Sequence, residues 1–288
     1  GAGTKRAQDA EGNILSLEHV SRSGNKLQTN SFEDGLVILN NDFSLGRPEI
    51  LEDLDQNVLP PTELGWHTRR KSRHFTIFNA LVEDLAAICS FDPWFLKCEF
   101  LAVDGVNFVN SVGLETSSQA VDVVLNKISE KYAEYNLSEV PFVMMKDDSG
   151  TFGYGVQSIH SGDEILQMGA KTRKKFAVGK QKKPITSLLI QEGIPTSFSI
   201  DDQAAEPVIY SVGGHLVGGF MRIHPFQGAR GNLNSRGMFF GPLLDSPLTR
   251  PILSQEWKIF SLYNILNKLG NLAISYEQAE LTASRRQI

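Results

Sequence analysis

Apolar residues recur at helical spacing in three stretches of the chain. Over 75–89, Phe75, Phe78, Val82, Leu85, Ala86 and Cys89 share one face, and over 117–135 Val121, Val124, Leu125, Ile128 and Tyr132 do the same. Thr116 and Gln119 are spaced as a capping box at the start of the second helix. A longer stripe over 256–280 carries Ile259, Leu262, Tyr263, Leu266, Leu269, Ala273 and Tyr276. The apolar runs between these stretches are too brief for helices. They predict a buried strand over 36–39, strands or a hairpin within 101–112, and strands over 141–145, 155–160, 187–191, 208–210 and 216–223. A Gly213-Gly214 turn joins the last two as a hairpin. The first 35 residues are polar, with weak hairpin arms turning near Gly12 and Gly24, and Ser161-Gly-Asp-Glu164 reads as the capping box of a short helix. Strands and helices do not alternate strictly, so the expected class is α+β.

Composition narrows this picture. The chain has 288 residues, 41% hydrophobic and 21% charged, as expected of a globular protein with room for two lobes. Pro60-Pro61 reads as a break between subdomains. A net charge of −5 argues against a nucleic-acid coat or a membrane-surface protein. Residues 171–183 hold seven basic side chains and no acidic one, yet with Phe176 alone they have too few interleaved aromatics for base stacking, so they read as a solvated connector. Cys89 and Cys98 are too few for a disulfide scaffold, which favours a cytoplasmic home. Neither a secretory apolar segment nor a run of about 18–20 apolar residues is present. His19, His67, His160 and His215 lack metal-ligand spacing.

The candidate chemistry gathers around Pro141-Phe-Val-Met-Met-Lys-Asp-Asp-Ser-Gly-Thr-Phe-Gly-Tyr-Gly155. A strand ending in Lys146 runs into a loop with Gly150, Gly153 and Gly155, which suits backbone approach to an anion beside a point charge. No Gly-Lys-Ser/Thr follows, so this is not a P-loop, and a plain hairpin turn accounts for the loop equally well when it is taken alone. Gln191 and Glu192 end the next strand, as a nucleotide-binding hinge does, though a solvated strand end has the same appearance. Arg222 and His224 project from the strand after Gly213-Gly214, and Arg222 suits bidentate binding of a carboxylate or phosphoryl group. The donor-rich loop Gly228-Ala-Arg-Gly-Asn-Leu-Asn-Ser-Arg-Gly237 could serve an anion or simply face solvent. The basic run Thr68-Arg-Arg-Lys-Ser-Arg-His74 precedes a helix, where either anion binding or solvation fits.

Taken in order, these segments resemble an ATP-grasp carboxylate–amine ligase, and more closely the proteobacterial glutamate–cysteine ligase family with its glutathione-synthetase-like core. The resemblance runs from Leu39-Asn-Asn-Asp-Phe-Ser44 through Gly65-Trp-His-Thr-Arg-Arg-Lys71, Asp92-Pro-Trp94 and Lys131-Tyr-Ala-Glu-Tyr135 to Gly218-Gly-Phe-Met-Arg222 and Gly231-Asn-Leu-Asn234. It implies two lobes, about 66–190 and 191–288, enclosing ATP, preceded by the remnant of an N-terminal α/β domain over 1–65. It implies that ATP phosphorylates the γ-carboxylate of glutamate and that the amine of cysteine attacks the acyl phosphate, in glutathione biosynthesis. Lys71 and Lys146 would hold phosphates, and the loop with Ser149, Gly150, Thr151, Gly153 and Gly155 would cover them. Gln191 and Glu192 would bind adenosine. Arg222, Asn232 and Asn234 would stabilise developing charge, and Glu206 with Asn234 would hold Mg2+. Small-molecule substrates are expected, without nucleic acid or membrane, and a homo-oligomer stays open.

The chain departs from the family pattern in three respects. Lys146-Asp147-Asp148 stands for Lys-Ala-Asp, Gly231 replaces a glutamate, and a substantial N-terminal region is missing, as if Gly1-Ala-Gly3 opened a fragment. A ligase for another amino-acid pair, or a nucleotide-binding relative without turnover, therefore remain alternatives.

Overall fold

The computed structural model describes residues 5–9, 11–150, 153, 155–179, 184–243 and 257–285. It divides into two units, Gly1–Arg69 and Arg70–Ile288.

The first unit consists of three small two-stranded pairings. Strands β1 (Lys5–Gln8) and β2 (Ile14–Leu17) form an antiparallel hairpin, as do β3 (Ser21–Ser23) and β4 (Lys26–Gln28). Their turns fall at Gly12 and Gly24, where positive φ (90° and 57°) is cheap for glycine. Strands β5 (Val37–Ile38) and β6 (Val58–Leu59) pair in parallel. The run over 36–39 thus yields two strand residues, and Ile38 is 77% exposed, so the expectation of a buried strand is corrected. A core of Leu27, Phe43 and Leu51 holds the unit, with the Gln56 amide pairing to both backbone groups of Leu27. Pro60-Pro61 lies inside this unit.

The second unit begins with helix α1 (Lys71–Cys89). Strand β7 (Phe100–Asp104) and helix α2 (Leu114–Glu134) follow. Next come β8 (Val143–Asp147), β9 (Gln157–Ile159), α3 (Gly162–Leu166), α4 (Ala170–Phe176) and β10 (Ser187–Glu192). These strands make an antiparallel sheet in the order β7-β10-β8-β9. Helix α1 starts four residues before the apolar stripe, and α2 starts at Leu114 behind Gly113, so Thr116 and Gln119 lie within the helix rather than capping it. Ser161 likewise makes no side-chain cap, because the Gly162 amide donates instead to Asp122 of α2 at 2.8 Å.

Strand parity sorts this first sheet into two faces. Val143, Met145, Leu188, Ile190 and Val103 point to α2 and pack against Val121, Val124, Leu125 and Ile128. Each such side chain contributes about 1.5–3 kcal/mol on burial. Lys146 and Gln191 fall on the opposite face.

A second antiparallel sheet has the order β11 (Phe198–Ile200), β12 (Gln203–Val212), β13 (His215–His224) and β14 (Phe239–Pro242). The β12–β13 turn is Gly213-Gly214 with both φ positive (57° and 78°), the hairpin signal read from the sequence. Ala205, Met221 and Ile223 form its core face against Leu243 and Tyr263 of α5 (Trp257–Arg285). Helix α5 also packs on α1 through Ala273, Phe78 and Val82. Glu206 and Arg222, directly paired across β12 and β13, take the other face.

Candidate active site

Lys146 leaves the open face of the first sheet from β8, and its ammonium donates to the Gln191 side-chain oxygen at 2.7 Å. Gln191 is uncharged, and no Lys146–carboxylate ion pair occurs among the described residues. Burial pushes the Lys146 pKa down, with Cys98 and the Glu206 carboxylate acting in the opposite sense. Burial also pushes the neighbouring Cys98 thiol up to about 12, so it stays protonated. A desolvated ammonium with a neutral partner is an unspent cation, and it sits where the second sheet brings Glu206 into Coulomb range.

On that second sheet the Arg222 guanidinium meets the Glu206 carboxylate at 2.6 Å, while its Nε is buried with no hydrogen-bond partner. Next along the strand face, His224 is 2% exposed. Its Nδ1 accepts from the Phe226 amide at 3.2 Å, which leaves Nε2–H for the Arg236 carbonyl at 3.2 Å, with the Ser235 hydroxyl at 3.0 Å from the same nitrogen. His224 therefore anchors the 231–237 loop. From that loop the Asn232 amide donates to the Gly153 carbonyl at 3.1 Å, and its oxygen accepts from the Asn234 amide at 3.1 Å. A Cβ on Gly153 would stand 1.9 Å from the Asn234 carbonyl, so only glycine allows this approach. A cavity of about 970 Å³ lies here, lined among others by Gly153, Gly155, Asn232, Asn234 and Arg236.

The turn after Lys146 is held from below. The Lys71 ammonium donates to the carbonyls of Asp147 (2.8 Å) and Gly150, and lies 3.5 Å from that of Asp148. The Lys71 ammonium thus braces the turn within the protein. Ser149 folds back through its amide and hydroxyl onto Asp147 Oδ1, at 3.0 and 3.2 Å. A Cβ on Gly150 would meet the Asp147 side chain at 2.7 Å, and Gly155 takes a left-handed φ of 64°. Thr151 lies outside the described residues.

Glu192 lies on a different face from Lys146. Its parity places it on the helix-packed face, away from Lys146, where it is 5% exposed. One oxygen accepts from the Trp94 indole at 3.1 Å and the other from the Glu99 amide at 3.2 Å, while burial raises its pKa. Each oxygen thus has a partner within the protein. Behind it Trp94 stacks on Tyr135, whose hydroxyl donates to Asp92 at 2.6 Å beside the Lys131 ammonium at 2.7 Å.

Glu206 is engaged by Arg222, and no group of three or more His, Cys, Asp or Glu side chains able to hold a metal occurs among the described residues. Sequence reasoning missed Asp148, Ser72 and Cys98. Given the pairing register, alternation with the apolar Leu188 and Ile190 could have placed Glu192 on the helix-packed face, but nothing local signals the long-range partners.

A desolvated lysine, an arginine with a buried unpartnered Nε and a close backbone approach at Gly153 are features that suit anion binding in an α+β protein. A model of the glutamate–cysteine ligase family, GshA, matches residues 3–278, and the chain belongs to that family. The crystal structure of a protein named as a gamma-glutamylcysteine synthetase, from Methylobacillus flagellatus KT, superposes with a TM-score of 0.84 at 34% identity over 96% of this chain. This chain spans 66% of that relative's length. D-alanyl-alanine synthetase A from Vibrio cholerae O1 biovar eltor gives a TM-score of 0.37 at 13% identity, covering 91% of this chain and 68% of its own, a likeness too low to support an argument. No curated protein matches the chain. No helix among the described residues is long and apolar enough to cross a membrane.

Proposed function

We propose that this chain carries the nucleotide-holding part of an ATP-dependent ligase that joins the γ-carboxyl of glutamate to the amine of cysteine, an ATP-grasp-like fold acting in the cytoplasm in glutathione biosynthesis. The observation that carries the proposal is Lys146, a desolvated ammonium bonded to a neutral amide, on the sheet face opposite the helix-packed core. Family membership supplies the reaction class. The buried Arg222 Nε without a partner and the close backbone approach at Gly153 both suit an anionic ligand such as the phosphates of ATP.

On this reading Lys146 binds phosphate as a point charge, and Gln191 orients its ammonium. Arg222 turns from Glu206 toward the transferring phosphoryl group and the tetrahedral centre, where a planar guanidinium stabilises spread charge. Asn232 and Asn234 shape the wall of the cavity. Magnesium would neutralise phosphate charge when bound. Glu206 and Asn234 would supply part of its ligand set, with substrate phosphates and water supplying the rest. A related ligase with other amino-acid substrates is the second reading, because Gly231 replaces the glutamate that the family pattern carries.

The test is nucleotide binding by calorimetry. Replacing Lys146 by Ala is expected to weaken ADP binding at least tenfold without lowering the thermal midpoint, since an unspent buried cation is removed. Unchanged affinity would refute the phosphate role.

A further inference from the structure

We infer that Asp148 is a positioning residue: it clasps the first turn of α1 to the end of β8 and so fixes where Lys146 and the 147–150 turn stand. The inference rests on the reading that this turn borders a nucleotide site. Asp148 is 2% exposed, and its carboxylate is fully occupied within the protein. One oxygen accepts from the Ser72 amide at 2.7 Å and the other from the Ser72 hydroxyl at 2.6 Å. Its carbonyl accepts from the Lys71 amide at 2.9 Å, and its own amide donates to the Ser187 carbonyl at 3.1 Å. Lys71 closes the clasp from the other side by donating to the carbonyls of Asp147 and Gly150.

Two features make this more than a loop contact. Arg70, at the head of α1, makes no side-chain cap, so the helix takes its capping carboxylate from 76 residues away. A negative charge at a helix N-terminus is favourable both by hydrogen bonding and by the macrodipole. Asp148 also lies two residues after Lys146, and strand β8 ends between them. Rotation of its peptide therefore shifts the end of the strand that aims the ammonium. A misplacement of about 1 Å at a binding group can cost roughly a hundredfold in function.

The alternative is a cap that only stabilises the fold. Three variants separate the roles: Asp148→Ala, Asp148→Asn and, as a destabilised control in the α1–α5 contact, Val82→Ala. Asparagine keeps an acceptor for the Ser72 amide and can reach its hydroxyl. ADP affinity is measured by calorimetry below every thermal midpoint, and amide exchange is followed at Ser149 and Gly150. Asp148→Ala is expected to lose at least tenfold in ADP affinity and to exchange at least tenfold faster at both amides. Asp148→Asn should stay within about threefold of the parent on both counts, and Val82→Ala within twofold. The inference is overturned if Asp148→Ala binds ADP within twofold of the parent, or if Val82→Ala loses as much. Should the parent itself not bind ADP, the nucleotide reading fails, and the clasp is judged by exchange alone: unchanged rates at Ser149 and Gly150 overturn it, and accelerated rates support it.

Discussion

The Lys71 ammonium reaches the carbonyls of Asp147 and Gly150, whereas the Lys146 ammonium meets the neutral oxygen of Gln191. Residue type alone made both lysines candidates for phosphate, and only their surroundings separate a brace from a free charge. The same holds for the glycines. Gly153 has φ 70° and no room for a Cβ beside the Asn234 carbonyl. Replacing it by Ala should cost about 1 kcal/mol from the left-handed backbone and more from the clash. We therefore expect Gly153→Ala to weaken ADP binding about tenfold or more, read by calorimetry, with the 231–237 loop losing exchange protection. Retained affinity would show that the Asn232–Gly153 contact is dispensable. The strands that carry Lys146, Gln191 and Arg222 were legible at this scale. The face taken by Glu192 depends on pairing register, and the contact of Asp148 with Ser72 spans residues distant in sequence, so neither was legible.

Among elements, the long helices and the Gly213-Gly214 hairpin follow directly from periodicity and turn chemistry. The starts of α1 and α2 do not, because Asp148 and Gly113 set them, and neither belongs to the apolar stripe. The turn Pro93–Phe95 offers a test of how such ends are pinned. Asp92 caps it through the Trp94 amide, and Lys131 and the Tyr135 hydroxyl hold its carboxyl down from the ordinary 3.8 to about 2. A folded pKa below the unfolded one contributes stability above about pH 4, which is lost as pH falls toward 2. Urea midpoints of the parent and Asp92→Asn should thus differ most at pH 5 and above, and converge as the buffer is taken down through that window. A difference that stays constant from about pH 5 to the lowest workable pH would show that the Asp92 carboxyl is not held by these contacts.

In the whole molecule, α2 fills one face of the first sheet and α5 one face of the second, Lys146 and the Glu206–Arg222 pair lie on the other faces, and the loops at 153–155 and 231–237 border a cleft. The α+β class was legible from the order of strands and helices. The strand order β7-β10-β8-β9 was not, since it depends on pairings between runs separated by a helix or a loop. The central claim concerns what happens in that cleft. It is tested by supplying the full-length protein with ATP, magnesium, cysteine and glutamate labelled with 18O in its γ-carboxyl group, then analysing phosphate and peptide by mass spectrometry. The account predicts γ-glutamylcysteine together with phosphate carrying one 18O atom, and neither product when cysteine or glutamate is left out. Phosphate released without label, or at a rate indifferent to both amino acids, would contradict it.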